Sequence, residues 1–392
     1  MKNNRTFLEK LLDGAEVKWI PLGDVADYEQ PTKYLVNSTV YNDNYPTPVL
    51  TAGKTFILGY TNEDEGIYFA SKSPVIIFDD FTTANKWVDF DFKAKSSAMK
   101  MITSKNEKFA LLKYIYYWLN TLPNNQIDGD HKRQWISNYA NKLIPIPPLS
   151  VQTEIVKILD ALTALTSELT SELTLRRKQY EYYREKLLSE EELGKVGFEW
   201  KTLGDVAKIQ RGASPRPISQ YITDEPNGIP WIKIGDTSLD SKYIENTAQK
   251  ITVEGAEKSR ILKCGDFVMS NSMSYGRPYI LKISGAIHDG WASISDFENI
   301  LNSDFLYYYL SSDSVQSYWN GKINSSSVSN LNSDIIKSLP IPIPALHIQI
   351  EIAKTLDKFE TLINSISKGL PLAIEQSQKR YEYYRELLLN FS

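Results

Sequence analysis

Several short stretches of this sequence carry the donor-rich side chains that meet nucleic acid. The run GDHKRQWISN, from Gly129 to Asn138, sets His131, Lys132, Arg133, Gln134 and Trp135 side by side. Arginine presents a fork of donors to a guanine edge, glutamine pairs with adenine, and lysine neutralises phosphate. The counterpart in the second half, GKINSSSVSN (321–330), offers Lys322, Ser325 and Ser326. DDFTTANKW (79–87) and the following FKAKSSAMK (92–100) add Thr82, Thr83, Asn85, Lys86, Lys93 and Lys95, and Lys54 stands in a Gly-Lys-Thr step. RGASPRP (211–217) contributes Arg211, Ser214 and Arg216, while SNSMSYGR (270–277) contributes Asn271, Ser272, Ser274, Tyr275 and Arg277. Lys233 lies within GIPWIKIGD (228–236). Glycines and hydroxyls among the arginines let a backbone come close to phosphate. Each stretch also reads as an ordinary solvated loop, so residue type alone leaves both readings open.

Catalytic chemistry is less well served. Gly53-Lys54-Thr55 looks like the end of a phosphate-binding loop, but the glycine that such a loop requires upstream is replaced by Pro48. Asp79 or Asp80, followed by Asp91-Phe92-Lys93, has the acidic pair and lysine of a magnesium-dependent nuclease. The second half has no equivalent, and an intrinsic nuclease is kept as a rival reading. No Asn/Asp-Pro-Pro-Tyr methyltransferase motif occurs. With one cysteine, Cys264, and three scattered histidines, His131, His288 and His347, neither a disulfide framework nor a zinc site is expected. A formal charge of -4 gives no overall basic field, so any DNA contact must be a local face. The acidic balance equally suits a coiled-coil scaffold whose heads bind protein, a second rival. The absence of a long apolar run points to a cytoplasmic protein.

The elements that would position these residues are written twice. W19-IPLGDVA-26 returns as W200-KTLGDVA-207, Y114-IYYWL-119 as F305-LYYYL-310, and YEYYRE at 180–185 is repeated verbatim at 381–386. IPIPPLSVQTEIVKILD (144–160) returns within LPIPIPALHIQIEIAKTLD (339–357), pairing Leu149 with Leu346, Gln152 with Gln349, Glu154 with Glu351 and Asp160 with Asp357. Ordered matches of this kind are the mark of a tandem duplication. Each copy joins a turn-rich block, with strand-like runs at 74–78 and 266–270 and aromatic helical stretches at 107–120 and 303–312, to a helical block. Proline-rich IPIPP and PIPIP close the two variable blocks as stiff extended segments. The start of the chain, F7-LEKLL-12 then EVKW, looks like the end of a repeat, Y183-REKLL-188 then FEW, which places the first residues beside the C-terminal helix.

Apolar residues then step by four and three: Ile155, Leu159, Leu162, Leu169, Leu173, Tyr180, Tyr183 and Leu187, with Thr166 and Arg176 in the same phase. That spacing predicts a coiled-coil seam on a helix spanning roughly 57 Å at about 1.5 Å per residue. Its partner is the second copy, through Ile352, Leu356, Phe359, Ile363, Tyr381, Tyr384 and Leu388. Gly369 and Pro371 interrupt this second seam, where a kink or break is expected. Within the first helix TSEL occurs twice in tandem, at 166–169 and 170–173. Four residues add about 6 Å of helix, a length comparable to two base-pair steps of DNA, so the repeat can act as a ruler.

The W-x-x-LGDVA opening, the IPIPPL-x-x-Q-x-E-I segment, GIPWIKIGD and the duplicated RKQYEYYRE-type helix together resemble the specificity subunits of type I restriction-modification enzymes, over essentially the whole chain. The tetrapeptide repeat and YEYYR ends are similar to the subgroup called type IC. The resemblance implies a non-catalytic DNA-recognition subunit of a methyltransferase and endonuclease complex, partnered by two adenine-methylating modification subunits and two motor-nuclease restriction subunits. S-adenosylmethionine, ATP and magnesium would belong to those partners. The fold expected is mixed α+β: two α/β target-recognition domains, related by a pseudo-two-fold and separated by two long antiparallel helices forming a coiled coil. The expected boundaries are an N-terminal segment at 1–15, the first recognition domain at 16–148, the central helical spacer at 149–192, the second domain at 197–344 and the C-terminal spacer at 345–392. Unlike recognition domains on such a frame would read an asymmetric, split site on double-stranded DNA.

Overall fold

A computed structural model describes residues 7–53, 55–123, 133–238, 241–271, 276–324, 331–364 and 369–391. The chain divides into two compact units, Met1–Glu168 with Ile374–Ser392, and Leu169–Ala373. This division runs through the helical segments: helix Leu149–Leu187 gives its first part to the first lobe and its remainder to the second.

In the first lobe a four-stranded antiparallel sheet runs in the order Ala26–Glu29, Met99–Ser104, Val75–Asp79, Asn85–Val88. Side chains alternate across a strand, and here the two faces meet different cores. Ile76, Phe78 and Ile102 join Tyr114, Ile115, Trp118 and Leu159 on the helical side. Val75, Ile77, Met99 and Met101 join Phe92 and, from a second, three-stranded sheet, Ile57–Thr61, Thr47–Leu50, Lys93–Ala94, the side chains of Leu50 and Ala94.

The second lobe repeats this layering with more strands. Its central sheet, Lys208–Arg211, Trp291–Ser295, Phe267–Ser270, Pro278–Leu281, Tyr243–Ile244, sends Phe267, Met269, Ile280 and Ile294 toward the helices. Val268, Tyr279, Leu281 and Trp291 face a second core with Ile232, Leu262 and Ile287. Those last three residues come from a sheet ordered Ile222–Thr223, Lys250–Ile251, Ile229–Ile232, Gly285–Ile287, Arg260–Leu262. Both lobes are thus mixed α/β, with helices, sheet and sheet in layers. The run GKINSSSVSN, read as a polar loop, begins instead as the last turn of a helix, Asp313–Asn324.

The proline-rich segments are strands of two-stranded ribbons. Leu143–Ile146 pairs with Lys18–Pro21, and Pro340–Pro344 pairs with Phe198–Thr202. In an antiparallel pair every second residue points its N–H away from the partner, so prolines at 340, 342 and 344 remove no ladder bond. The ribbon ties the opening of each repeat to its close, and Leu22 N and Leu203 N extend it by donating to Lys142 O and Leu339 O, each at 2.8 Å.

Helix Leu149–Leu187 begins after Pro147-Pro148 and spans 39 residues. All of its expected seam positions are buried or half-buried. In the first lobe Ile155 and Leu159 share a core with Tyr381, Tyr384 and Leu388, and Thr166 Oγ1 lies 2.9 Å from Ser377 Oγ. In the second, Leu173, Tyr180 and Leu187 pack with Ile352, Leu356, Phe359 and Ile363, and the Tyr183 ring stacks on Phe359 at 5.5 Å. The second helical segment consists of Leu346–Asn364 and Leu370–Leu389, with 365–368 between them outside the described residues. Pro371 sits in the first turn of the latter helix, where its missing N–H costs no bond. Phe7–Leu12 is helical, and its Leu11 and Leu12 pack against the core that holds Leu388 and Leu389.

Candidate nucleic-acid interface

One buried glutamine seats each lobe on its helix, in the same way in both copies. Gln152 Oε1 accepts from Leu111 N at 2.9 Å, and its Nε2 donates to Phe109 O and Pro147 O, both at 2.9 Å. Gln349 Oε1 accepts from Asn302 N at 2.8 Å, and its Nε2 donates to Ile300 O at 3.0 Å and Pro344 O at 2.9 Å. Backbone groups at the start of the aromatic helix are satisfied by one buried side chain in both copies.

A second anchor is duplicated in part and compensated where it differs. Tyr117 donates to Asp160, and Tyr308 donates to Asp357 at 2.5 Å. In the first lobe Lys113 completes the group, 3.5 Å from Asp160 and 4.0 Å from the Trp87 ring centroid. The equivalent position in the second lobe is Asp304, which would repel Asp357. Lys242, from the recognition domain, lies between them, 2.7 Å from Asp304 and 3.0 Å from Asp357. Burial acts to lower the Lys242 pKa, but the bonds and charges of Asp304 and Asp357 outweigh it and hold the ammonium above its ordinary value. Glu360 Oε2 lies 2.7 Å from the same Tyr308 hydroxyl, and burial pushes its carboxyl above the usual range.

On the outer face of the first lobe, Asp80 gathers two of the candidate stretches. Gln134 N donates to Asp80 O and Trp135 N to Asp80 Oδ1, each at 2.8 Å. The 79–86 hairpin and the segment beginning at Arg133 therefore lie against one another, with Thr82, Lys86 and Arg133 exposed and Asn85 and Gln134 half-buried. Three expected contacts need correction. Trp135 is 1% exposed, its ring edge-on to Phe78 and Tyr28, so it anchors the segment instead of meeting a ligand. Thr83, also 1% exposed, lies inside the hairpin turn, where its N–H donates to Asp79 O. Lys93 is spent internally, 2.8 Å from Glu63 Oε2 and donating to Glu65 O. Lys95 stays half-buried beside the Tyr41 ring.

The acidic pattern that suggested a nuclease does not assemble. Asp79 Oδ1 accepts from Phe81 N and Thr82 N, Asp91 Oδ1 from Ser71, and Asp80 faces the buried Lys100 at 3.6 Å. Each carboxylate serves its own turn or buried partner.

In the second lobe the organiser is Asp289. Its Oδ1 accepts from Ser214 Oγ at 2.8 Å, and its main-chain oxygen accepts from Arg211 Nε at 3.1 Å and Asn271 Nδ2 at 3.3 Å. His288 Nε2 and Arg216 lie 3.1 and 3.7 Å from its carboxylate. Burial acts to raise the Asp289 pKa, but the Ser214 hydroxyl and His288 bring it below the ordinary carboxylate value. Gly212 is packed so tightly that a Cβ there would lie 2.0 Å from His288 O. The candidates Arg211, Ser214, Arg216 and Asn271 thus form one cluster. Gln316 Nε2 donates to Gly276 O, which brings the helix bearing Lys322 to the segment bearing Arg277. Lys233, by contrast, donates to Gln249 at 2.7 Å, beside the second sheet. Lys54, His131, Lys132, Ser272, Ser274, Tyr275, Ser325 and Ser326 lie outside the described residues. Asp80, Lys242 and Asp289 were not singled out as site organisers from sequence, because their partners are distant along the chain.

Comparison with known proteins places this geometry. Residues 15–175 and 195–376 each match the type I restriction modification DNA specificity domain. The chain is 50% identical to the EcoR124I/EcoR124II type I restriction enzyme specificity subunit of Escherichia coli, covering 98% of this chain and 97% of that protein. It is 39% identical to a type I restriction enzyme specificity subunit of Haemophilus influenzae over the full length of both. Its fold is similar to the crystal structure of the type I restriction-modification S subunit from M. genitalium, with a TM-score of 0.60 and 14% identity over 97% of this chain and 98% of that one.

Proposed function

Because this chain belongs to the type I restriction-modification DNA specificity family, whose members named above are specificity subunits, we propose that each lobe reads one half of a bipartite, asymmetric DNA target and that the helical segments dock modification subunits. The role is recognition and not catalysis. One observation carries the reading: duplicated anchors, Gln152 and Gln349 above all, hold two unlike polar faces on equivalent frames. Thr82, Asn85, Lys86, Lys95, Arg133 and Gln134 are the contacts proposed for the first half-site. Arg211, Ser214, Arg216, Asn271, Arg277 and Lys322 are those proposed for the second. Each bidentate base contact contributes about 1–3 kcal/mol of discrimination, so joining the two lobes through helix is what yields useful affinity.

Exposed apolar side chains recur at equivalent positions of the two repeats: Trp19 and Trp200, Leu149 and Leu346, Leu165 and Leu362, Tyr182 and Tyr383. A surface presented twice favours two copies of one partner, which we assign to the modification subunits, with two restriction subunits joining for cleavage. S-adenosylmethionine, ATP and magnesium fall to those partners in this scheme, which operates in the cytoplasm. Among the described residues no helix is long and apolar enough to cross a membrane.

The experiment is a mobility-shift titration of the chain, reconstituted with its modification subunit, on a library of random duplexes. Enrichment of one split sequence is expected. Equal retention of every duplex would overturn the assignment in favour of a protein-binding scaffold.

A further inference from the structure

We propose that the open cavity on the second lobe lined by Arg211, Asn271, Asn332, Ser333 and Asp334 reads one G·C base pair, with the Arg211 guanidinium on the guanine edge and the Asp334 carboxylate on the cytosine amino group. The inference rests on the DNA-reading function proposed above and adds to it a base identity. The cavity holds about 300 Å³ and opens to solvent. Arg211 is exposed, and its Nε is fixed to Asp289 O at 3.1 Å. Among the described residues its two terminal nitrogens have no hydrogen-bond or ion-pair partner. The side chain is thus held by one nitrogen while the remaining donors stay available, the arrangement that lowers the entropy lost when a guanidinium binds.

The segment beneath is held firmly. Arg211 pairs with Ala292 in the central sheet, Gly212 has no room to shift against His288 O, and Ser214 bonds the Asp289 carboxylate. The composition of the cavity decides between backbone and base. A phosphate would meet the Asp334 carboxylate as well as the arginine and be repelled by it. A base-pair edge wants both: guanine offers the acceptors O6 and N7 to arginine, and cytosine offers its N4 amino group to a carboxylate. Asp334 is highly exposed, with Lys337 at a loose 3.6 Å. Arg211 and Asp334 share the cavity lining without forming an ion pair.

The test uses the chain reconstituted with its modification subunits and a duplex panel in which every position of the second half-site is replaced in turn. The wild type is expected to require G·C at one position. Arg211→Gln should lose about 10- to 100-fold of the preference for G over A at that position without becoming selective for A·T, because thymine would present its acceptor O4 to the Asp334 carboxylate. Asp334→Ala should relax the same position and no other. Unchanged discrimination in the first half-site serves as the folding control, and Asp334→Ala stands alone if Arg211→Gln does not fold. The proposal is overturned if Arg211→Gln weakens all duplexes equally with a shallower salt dependence, as for a phosphate contact, or if the two substitutions relax different positions. A wild type that discriminates among no duplexes would sink the DNA-reading function itself; a discriminating wild type with indifferent variants sinks only the base assignment.

Discussion

Replacing Gln152 by methionine keeps the length of the side chain and deletes its polar head. Three hydrogen bonds vanish at once, to Leu111 N, Phe109 O and Pro147 O. Gln152 is fully buried, so water cannot take over these bonds. Each bond is worth about 1 kcal/mol net, and the stranded backbone groups add desolvation cost, so the loss amounts to about 3–5 kcal/mol. A free-energy loss at the lower end of that range raises the opening equilibrium roughly a hundredfold. Amide hydrogen exchange followed by mass spectrometry reads this directly in the peptide that covers Leu111 to Leu119. Gln349→Met should produce the same acceleration in the peptide from Asn302 to Leu310, because its three bonds are the same three. Acceleration of less than about threefold in either peptide, or a large effect in one copy and none in the other, would refute the argument that these glutamines seat the lobes.

Lys242→Met should destabilise the second lobe by about 2 kcal/mol, since Asp304 and Asp357 are left facing each other, and adding Asp304→Lys should recover most of it by rebuilding the first-lobe arrangement; a denaturant-midpoint double-mutant cycle measures this. The raised pKa of Glu360 means that its contribution to stability is fully present below the unfolded carboxylate value and is lost as pH rises through the folded one. Glu360→Gln should therefore stabilise the second lobe at neutral pH and flatten the fall in melting temperature between acid and neutral pH; an unchanged pH profile would contradict the assignment. Leu159→Ala, at a fully buried seam position, should cost about 2–5 kcal/mol, whereas Leu165→Ala, on the open side of the same helix, should leave stability unchanged and weaken capture of the modification subunit, as read by calorimetry. Lys86→Ala should weaken binding to all duplexes alike and reduce the salt slope by about one.

What was legible in the sequence is what repeats or has a period. Gln152 with Gln349 and Asp160 with Asp357 stood out because the buried glutamines and the tyrosine-bonded aspartates recur at matching positions of the two copies. The seam from Ile155 to Leu187 was visible because helical spacing fixes which side chains face inward, and even the polar members Thr166 and Arg176 fall on that stripe. The recognition faces were harder. Trp135 and Lys93 looked like contact residues among polar neighbours, but Phe78, Tyr28, Glu63 and Glu65, which bury or engage them, come from other parts of the chain. The aspartates invert the lesson: Asp80 looked like a metal ligand and Asp289 like nothing in particular, yet each holds a recognition segment through backbone and side-chain bonds that no local pattern announces. The partition of the helices between lobes was also hidden, since periodicity shows a stripe but not which core receives it.

The central claim, two unlike readers joined by helix, is tested most directly by mapping methylated adenines in cells that express the chain with its modification subunit, alongside a version carrying one additional TSEL unit in the 166–173 repeat. A single bipartite, non-palindromic motif with a fixed gap is predicted, and the lengthened chain should keep both half-sites while widening the gap. A continuous or palindromic motif, or half-site bases that change when only the helix is lengthened, would contradict it.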